Sequence, residues 1–122
     1  MFSKHLKTIH TSLTAKDPTS LAKWYQDVLG IKIGVELIKK GRPPVYFLKL
    51  ENGCEIEIHP FVQPHIGLVV DDFEEAAKEL SSKGINLEDI KTTSGGWKIG
   101  FFKDPEGNML ELQYRPKGTP QV

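Results

Sequence analysis

Apolar and polar residues alternate near the start of the chain, which predicts a β-strand. In "LKTIHTSLTA", Ile9 and Leu13 lie on one face and His10 lies on the other. The next run, "KDPTSLAKWYQDVLG", carries apolar residues at helical spacing between Asp17, a predicted N-cap, and Gly30, a predicted stop. Three more strands are predicted at "IKIGVELI", "VYFLKL" and "CEIEIH".

The second half of the chain repeats this order of elements. A strand, "HIGLVV", precedes a helix, "DDFEEAAKELSSKG", in which Asp72 is the predicted N-cap and Gly84 the predicted stop. Strands are then predicted at "INLEDI", "WKIGFFK" and "MLELQY". The pattern βαβββ therefore occurs twice along the chain.

The apolar stripes of the two predicted helices match one for one at a constant offset. Leu21, Trp24, Tyr25 and Val28 in the first helix correspond to Phe73, Ala76, Ala77 and Leu80 in the second. This match argues for an internal repeat and against a chance likeness of two α+β segments. The prediction is an α+β fold with two tandem βαβββ modules, about 6–60 and 64–115, in a single domain over 1–122.

The predicted strands place polar side chains on the face away from the helices. In "GCEIEIHP", Glu57 lies opposite the isoleucines, and in "NMLELQY", Glu111 lies opposite the leucines. His10 and His65 each stand on the first strand of a module, at nearly the same distance before that glutamate. Each module thus offers one histidine and one glutamate, and all four converge if the two sheets face each other.

Two neutral imidazoles and two carboxylates form a ligand set for one divalent metal ion, such as zinc, nickel, cobalt or manganese. The carboxylates balance the charge of the ion, and a six-coordinate ion keeps positions open for water or substrate. Iron is less expected, because non-haem iron oxygenases use two histidines and one carboxylate. Any one of these residues alone is more often structural or solvated, so the prediction depends on their symmetric placement.

Further residues are candidates for a substrate pocket. His59 shares a strand face with Glu57 and is expected to line the pocket, whereas Glu55 is expected to be solvated. Trp97 and Phe101, four residues apart, share one strand face and are candidates for an apolar pocket wall. Burial in the hydrophobic core is the alternative for these two aromatic residues.

Composition excludes several classes of partner. Among 122 residues, 16 basic side chains balance 16 acidic ones, so no positive field predicts nucleic-acid binding. No apolar run is long enough to span a membrane, and "MFSKHLKTIH" lacks the apolar core of a signal peptide. Cys54 is the single cysteine, which fits a reducing compartment. We therefore expect a cytoplasmic protein with a small-molecule substrate.

The sequence resembles the vicinal oxygen chelate superfamily, which includes glyoxalases, bleomycin-resistance proteins and extradiol dioxygenases. "LAKWYQDVLGIKI" is similar to its first helix and following strand, and "HIGLVVDDFEEAAKELSSKGI" to the start of its second module. "FFKDPEGNMLELQ" is similar to its closing hairpin. The resemblance runs from about Leu6 to Tyr114. It implies a cupped mixed sheet with helices on the outer face, and a homodimer with the site at or near the interface.

The sequence most resembles the metal-dependent glyoxalase I branch. The four metal-ligand positions of that branch are matched in residue type by His10, Glu57, His65 and Glu111. This resemblance implies a lactoylglutathione lyase-like enzyme that transfers a proton next to a carbonyl, for example on a thiol–methylglyoxal adduct. Glu57 and Glu111 are then the candidate catalytic bases. The alternatives are a non-catalytic protein that binds an antibiotic or another small molecule, a related epimerase, or an iron-dependent dioxygenase.

Two positions depart from the glutathione-binding pattern of that branch. The arginine expected four residues after the first histidine ligand is replaced by Thr14, and the asparagine expected four residues after the second ligand is replaced by Phe61. "TTSGGW" replaces the basic residues expected before the seventh strand. All four metal-ligand positions are matched, but the residues expected to bind glutathione are not. An adduct of another thiol, or a small oxygenated molecule, is therefore also an expected substrate.

Overall fold

A computed structural model describes residues 2–60 and 63–117. Phe61, one of the two positions that depart from the glutathione-binding pattern, lies outside these ranges. The chain divides into two compact units, His10–Pro64 and Met1–Ile9 with His65–Val122. Among the described residues, no helix is both long and apolar enough to cross a membrane.

Within residues 6–60, the structure shows one helix and four strands. They are β1 (Leu6–Thr14), α1 (Pro18–Leu29), β2 (Lys32–Leu37), β3 (Val45–Lys49) and β4 (Glu55–His59). The order of the strands is β2-β3-β4-β1. Strand β4 pairs parallel with β1 and antiparallel with β3, which pairs antiparallel with β2.

The second module repeats this arrangement. It contains β5 (His65–Val70), α2 (Phe73–Ser82), β6 (Glu88–Thr92), β7 (Lys98–Lys103) and β8 (Met109–Tyr114). Strand β8 pairs parallel with β5 and antiparallel with β7, which pairs antiparallel with β6. The predicted α+β fold class with two βαβββ modules of mixed strand direction is confirmed.

Helix α1 begins and ends where the sequence predicts, but its predicted apolar stripe is only partly right. The carboxylate of Asp17 accepts a hydrogen bond from the Ser20 backbone N–H at 3.1 Å. The sheet-facing side of the helix is centred on Ala22, which is fully buried. Trp24 is 50% and Val28 58% exposed. Two residues advance a helix by about 200°, so Trp24 lies almost opposite Ala22.

Helix α2 follows its predicted pattern more closely. Asp72 is the N-cap and accepts from the Glu75 backbone N–H at 3.1 Å. Phe73, Ala76 and Leu80 are buried in a core with Val70, Phe102 and Leu112. The corresponding core of the first module contains Ala22, Tyr46, Leu48 and Ile58. In each module the helix therefore covers one face of the strands and leaves the opposite face for polar residues.

Strand β6 begins later than "INLEDI" predicts. The Ile85 N–H donates to the Leu80 carbonyl at 2.9 Å, so this segment still belongs to the end of α2. Ile85 and Leu87 pack against the core of the second module. Their apolar side chains therefore belong to a connection that covers the core, and the strand starts only at Glu88.

The β7–β8 turn aligns two strands that carry candidate site residues. The Asp104 carboxylate accepts hydrogen bonds from the Asn108 amide side chain at 2.8 Å and from the backbone N–H groups of Glu106 and Asn108, both at 2.9 Å. Gly107 has a φ of 87°, which a residue with a Cβ rarely adopts. The hydrogen bond from the Asn108 side chain, followed by those from the backbone, holds the pKa of Asp104 below its ordinary value of 3.8.

This turn predicts a pH dependence of stability. Because the pKa of Asp104 is lower in the folded protein than in the unfolded chain, its contribution is present above pH 3.8 and is lost as the pH falls through the folded value. We expect the Tm of the native protein to exceed that of the Asp104→Asn variant near neutral pH. The difference should shrink below pH 3.8 in a Tm series against pH. A constant difference across this series would contradict the role of the ionised carboxylate.

Candidate functional site

The first module brings one predicted histidine and one predicted glutamate together. On β4, Ile56 and Ile58 belong to the helix-facing core, so Glu57 points to the opposite face. His10 stands on β1, which runs parallel to β4 in a register that pairs Ser12 with Glu57. The His10 Nε2 atom is 3.9 Å from Glu57 Oε1.

The second module forms an equivalent pair. On β8, Leu110 and Leu112 pack with the core under α2, and Glu111 points to the opposite face. Strands β5 and β8 are parallel in a register that pairs Gly67 with Glu111. The His65 Nε2 atom is 3.5 Å from Glu111 Oε1. The repeat in the sequence therefore produces the same His–Glu pairing twice.

The polar faces of both modules are buried, which has a physical cost. His10, Glu57, His65 and Glu111 are each at most 5% exposed. On β1 the polar face is the buried one, since Ile9 is 39% exposed while His10 is buried. Buried charges in proteins are normally paired or coordinate a metal ion. Burial of these four ionisable groups is therefore expected to be offset by a bound ligand or by a partner of opposite charge.

The donor atoms of each pair fit a divalent ion. Two atoms that each lie about 2.0–2.2 Å from one ion are about 3.0–3.5 Å apart when they occupy neighbouring coordination positions. The observed separations of 3.5 Å and 3.9 Å are close to this range and longer than the usual N–H···O hydrogen bond. Imidazole nitrogen and carboxylate oxygen are also ligands that zinc and related ions accept. The residues present in each module therefore suit half of a metal site.

The polar residues of β4 beside Glu57 are placed differently from one another. His59 is partly buried, and its Nε2 atom is 3.4 Å from Glu57 Oε2. Glu55 is buried, so the expectation that it is solvated is wrong. It lies two residues before Glu57 on the same strand face, in the register position opposite His10.

The two aromatic candidates occupy different surroundings in the second module. Phe101 lies on β7 directly opposite Glu111, and its ring meets the His65 ring edge-on with centroids 5.8 Å apart. Trp97 lies just before β7 and is buried. The Arg115 guanidinium carbon is 4.6 Å from the centre of the Trp97 ring. Their role in a substrate pocket stays a prediction.

Gln113 and Arg115 were not among the residues that the sequence singled out for the site. Gln113 is almost completely buried, and its Nε2 donates to Glu111 Oε1 at 3.1 Å. Arg115 Nε in turn donates to Gln113 Oε1 at 2.5 Å. The signal that could have found Gln113 is its spacing, because residues 111 and 113 share one face of an extended strand, whereas Arg115 lies beyond the end of β8.

Comparison with known proteins identifies the family of the chain. Residues 7–112 match the model of the Glyoxalase/Bleomycin resistance protein/Dioxygenase superfamily. The chain belongs to this superfamily. The resemblance noted in the sequence is therefore confirmed.

Individual relatives of this superfamily member are distant. The chain is 29% identical to the lactoylglutathione lyase of Haemophilus influenzae, over 88% of this chain and 91% of that protein. A hypothetical protein from Bacillus halodurans, BH1468, matches at a TM-score of 0.70 and 16% identity, over 95% of this chain and 97% of the other. The methylmalonyl-CoA epimerase of Mycobacterium tuberculosis matches at a TM-score of 0.62 and 18% identity, over 92% and 88%. These two structures share the fold of this chain.

Proposed function

We propose that this protein is a metal-dependent, glyoxalase I-like lyase or isomerase that transfers a proton next to a carbonyl group of a small substrate. The observation that carries the proposal is the buried His–Glu pair in each module, His10 with Glu57 and His65 with Glu111. Membership of a superfamily that contains glyoxalases supports it. A solvated histidine or glutamate would not support the proposal. A buried one does, because burial of an ionisable group without a partner lowers the stability of the fold.

The proposed metal site consists of His10, Glu57, His65 and Glu111. Each module alone provides two ligands, whereas protein zinc sites use three or four protein ligands. The two pairs occupy equivalent positions on equivalent strands, so we propose that they share one ion. Nickel, zinc, cobalt and manganese suit the donor set, and iron suits it less. When bound, the ion supplies Lewis-acid stabilisation for the negative charge that develops on the substrate oxygens.

The glutamates are the proposed bases. One carboxylate, of Glu57 or Glu111, accepts the proton from the carbon next to the carbonyl and returns it to the adjacent carbon. No atom is lost, so the product is an isomer of the substrate. Return of the proton to the same carbon from the other side would instead give an epimer. The neutral imidazoles of His10 and His65 are the proposed anchors, and the Phe101 ring limits the movement of His65.

The proposed substrate is a small carbonyl compound attached to a thiol. The names of a relative, lactoylglutathione lyase, and of a structural neighbour, methylmalonyl-CoA epimerase, both join a small acyl group to a thiol. Glutathione itself is not required by the residues of this chain. Thr14, where an arginine is expected for glutathione binding, lies exposed at the end of β1. We expect activity with more than one thiol, in a homodimer of cytoplasmic location.

The test begins with elemental analysis of tag-free protein that has been purified without chelator. We expect close to one nickel, zinc, cobalt or manganese ion per chain. Isomerisation of methylglyoxal adducts should then be assayed with several thiols, after removal of the metal and after its return. We expect turnover to disappear with the metal and to recover on reloading. The His5→Ala variant is the control, because it removes a histidine outside the proposed ligands and pocket.

Three results would replace this proposal. Protein that neither retains nor takes up a metal would favour a non-catalytic binding protein for small molecules. Turnover that needs ferrous iron and consumes oxygen would favour the dioxygenase alternative. Metal-dependent exchange of a substrate C–H proton without isomerisation would place the protein with the epimerases.

A further inference from the structure

We propose that Gln113 and Arg115 are positioning residues that hold Glu111 as an oriented carboxylate ligand, and that Trp97 holds Arg115 in place. This inference rests on the proposed function, because it concerns the metal affinity of the same site. It adds two residues that support a proposed ligand without themselves binding the ion. The contacts that carry it lie entirely within the second module.

The direction of this hydrogen-bonded chain follows from the chemistry of its members. Arginine has only donors, so the oxygen of the Gln113 amide must face Arg115 and its NH₂ group must face Glu111. Arg115 Nε donates to Gln113 Oε1 at 2.5 Å, and Gln113 Nε2 donates to Glu111 Oε1 at 3.1 Å. The chain therefore runs from a cation through a neutral amide to an anion. Each bond strengthens the next, because a charged end polarises the amide between them.

Trp97 restricts the cationic end of the chain. The Arg115 guanidinium carbon lies 4.6 Å from the centre of the Trp97 ring, within the range of a cation–π contact. The backbone of Trp97 is fixed, because its backbone N–H donates to Thr93 Oγ1 at 3.1 Å and its carbonyl accepts from the Thr93 backbone N–H at 2.8 Å, and its side chain is buried. An arginine with one face on a buried ring has fewer alternative rotamers. Arg115 can therefore keep Gln113 in one orientation.

The oxygen of Glu111 that accepts the hydrogen bond from Gln113 is also the oxygen beside His65. Glu111 Oε1 accepts from Gln113 and lies 3.5 Å from His65 Nε2. A carboxylate oxygen can accept more than one interaction, so the hydrogen bond from Gln113 leaves a lone pair of Oε1 for an ion. The effect of Gln113 is to fix the carboxylate plane relative to His65. Such partners behind a metal ligand orient it and typically change metal affinity about 10-fold to 100-fold when removed.

The first module supports its glutamate in another way. His59 occupies the strand position that corresponds to Gln113, and its Nε2 atom is 3.4 Å from Glu57 Oε2. The contact therefore involves the oxygen of Glu57 that faces away from His10, since the 3.9 Å separation from His10 is to Oε1. Glu111 is held through the oxygen that faces its histidine, and Glu57 through the other one. The hydrogen bond from Gln113 to the oxygen that faces His65 assigns Glu111 the role of an oriented ligand.

The inference is tested by metal affinity, measured by competition with a chromogenic chelator on the full chain. We expect Gln113→Leu to weaken affinity about 10-fold to 100-fold. Arg115→Leu should weaken it as well, but the Gln113→Leu/Arg115→Leu double variant should be no weaker than Gln113→Leu alone. Arg115→Lys, which lacks the planar fork, should not restore native affinity. Gln26→Leu and Arg42→Leu are matched controls, because both residues are exposed.

The possible outcomes separate this inference from the proposed function. If the native protein binds no metal, the proposed function fails and the inference fails with it. If the native protein binds metal and Gln113→Leu has native affinity, only the inference is overturned. Additive losses in the double variant would show that Arg115 does not act through Gln113. If Gln113→Leu does not fold, as judged by circular dichroism without metal, Arg115→Leu decides: native affinity in that variant overturns the chain.

Discussion

An alanine at either His10 or His65 is expected to remove the divalent ion from the whole chain. Each substitution leaves three of the four proposed ligands, but it also removes one of only two ligands in its module. Loss of a ligand should cost at least as much metal affinity as loss of a partner behind a ligand, which is typically about 10-fold to 100-fold. We therefore expect metal content after dialysis to fall well below one ion per chain, as measured by elemental analysis.

The His5→Ala and His59→Ala variants complete this series, because the chain contains four histidines. His5 lies beside Asp71, with 3.1 Å between His5 Nδ1 and Asp71 Oδ1, and has no proposed role in the site. The His5→Ala variant should therefore keep the metal content of the native protein. His59→Ala should keep the ion too, although its substrate affinity is expected to change. Two ions per native chain, one of which survives each ligand substitution, would contradict a single shared site.

The same two variants can show whether the ligands of one ion come from one chain or from two copies. Consider a mixed dimer of one His10→Ala chain and one His65→Ala chain. If each site takes the first-module pair from one copy and the second-module pair from the other, one of the two sites keeps all four ligands and the other loses both histidines. Metal content should then recover to about one ion per dimer, whereas sites built within single chains would remain empty. Co-expression with two different affinity tags would isolate the mixed species. This measurement also tests the predicted homodimer directly.

Much of the fold could be predicted because its signals are local. Asp17 and Asp72 were recognisable as N-caps, since a short acceptor before a run at helical spacing satisfies the first backbone N–H groups of a helix. Alternation with a period of two then placed Glu57 and Glu111 away from the leucines and isoleucines of their strands. Alternation cannot say which face becomes buried. For this reason Glu55 was expected to be solvated, although it is buried.

The site was harder to predict wherever it depends on contacts between side chains. His10 and His65 were visible because each module repeats the same spacing to its glutamate. The Gln113–Arg115 chain was not visible, because the direction of an amide is known only once its neighbours are known. Arg115 also lies beyond the end of β8, where strand alternation no longer guarantees a face. Trp97 became informative only through the guanidinium stacked on its ring.

The decisive test of the chemistry is the exchange of each glutamate for glutamine. Glutamine keeps the shape and an oxygen ligand but cannot accept the substrate proton as a carboxylate does. We expect the variant that lacks the base to lose about 100-fold to 10,000-fold in kcat, as measured at saturating metal so that weaker ion binding does not enter. The other variant should lose metal affinity with a smaller change in kcat.

The contacts of the two glutamates predict which glutamine variant loses kcat and which loses metal affinity. Glu111 is tied to Gln113 through the oxygen that faces His65, whereas the Glu57 oxygen facing His10 is not the one beside His59. A carboxylate that is tied through the oxygen facing its histidine leaves the proposed ion at higher cost, so Glu111 is less suited to accept and return a proton. Glu57→Gln should therefore show the larger loss of kcat and Glu111→Gln the larger loss of metal affinity. The reverse pattern would assign the base to Glu111, and full turnover in both variants would rule out either carboxylate as the base.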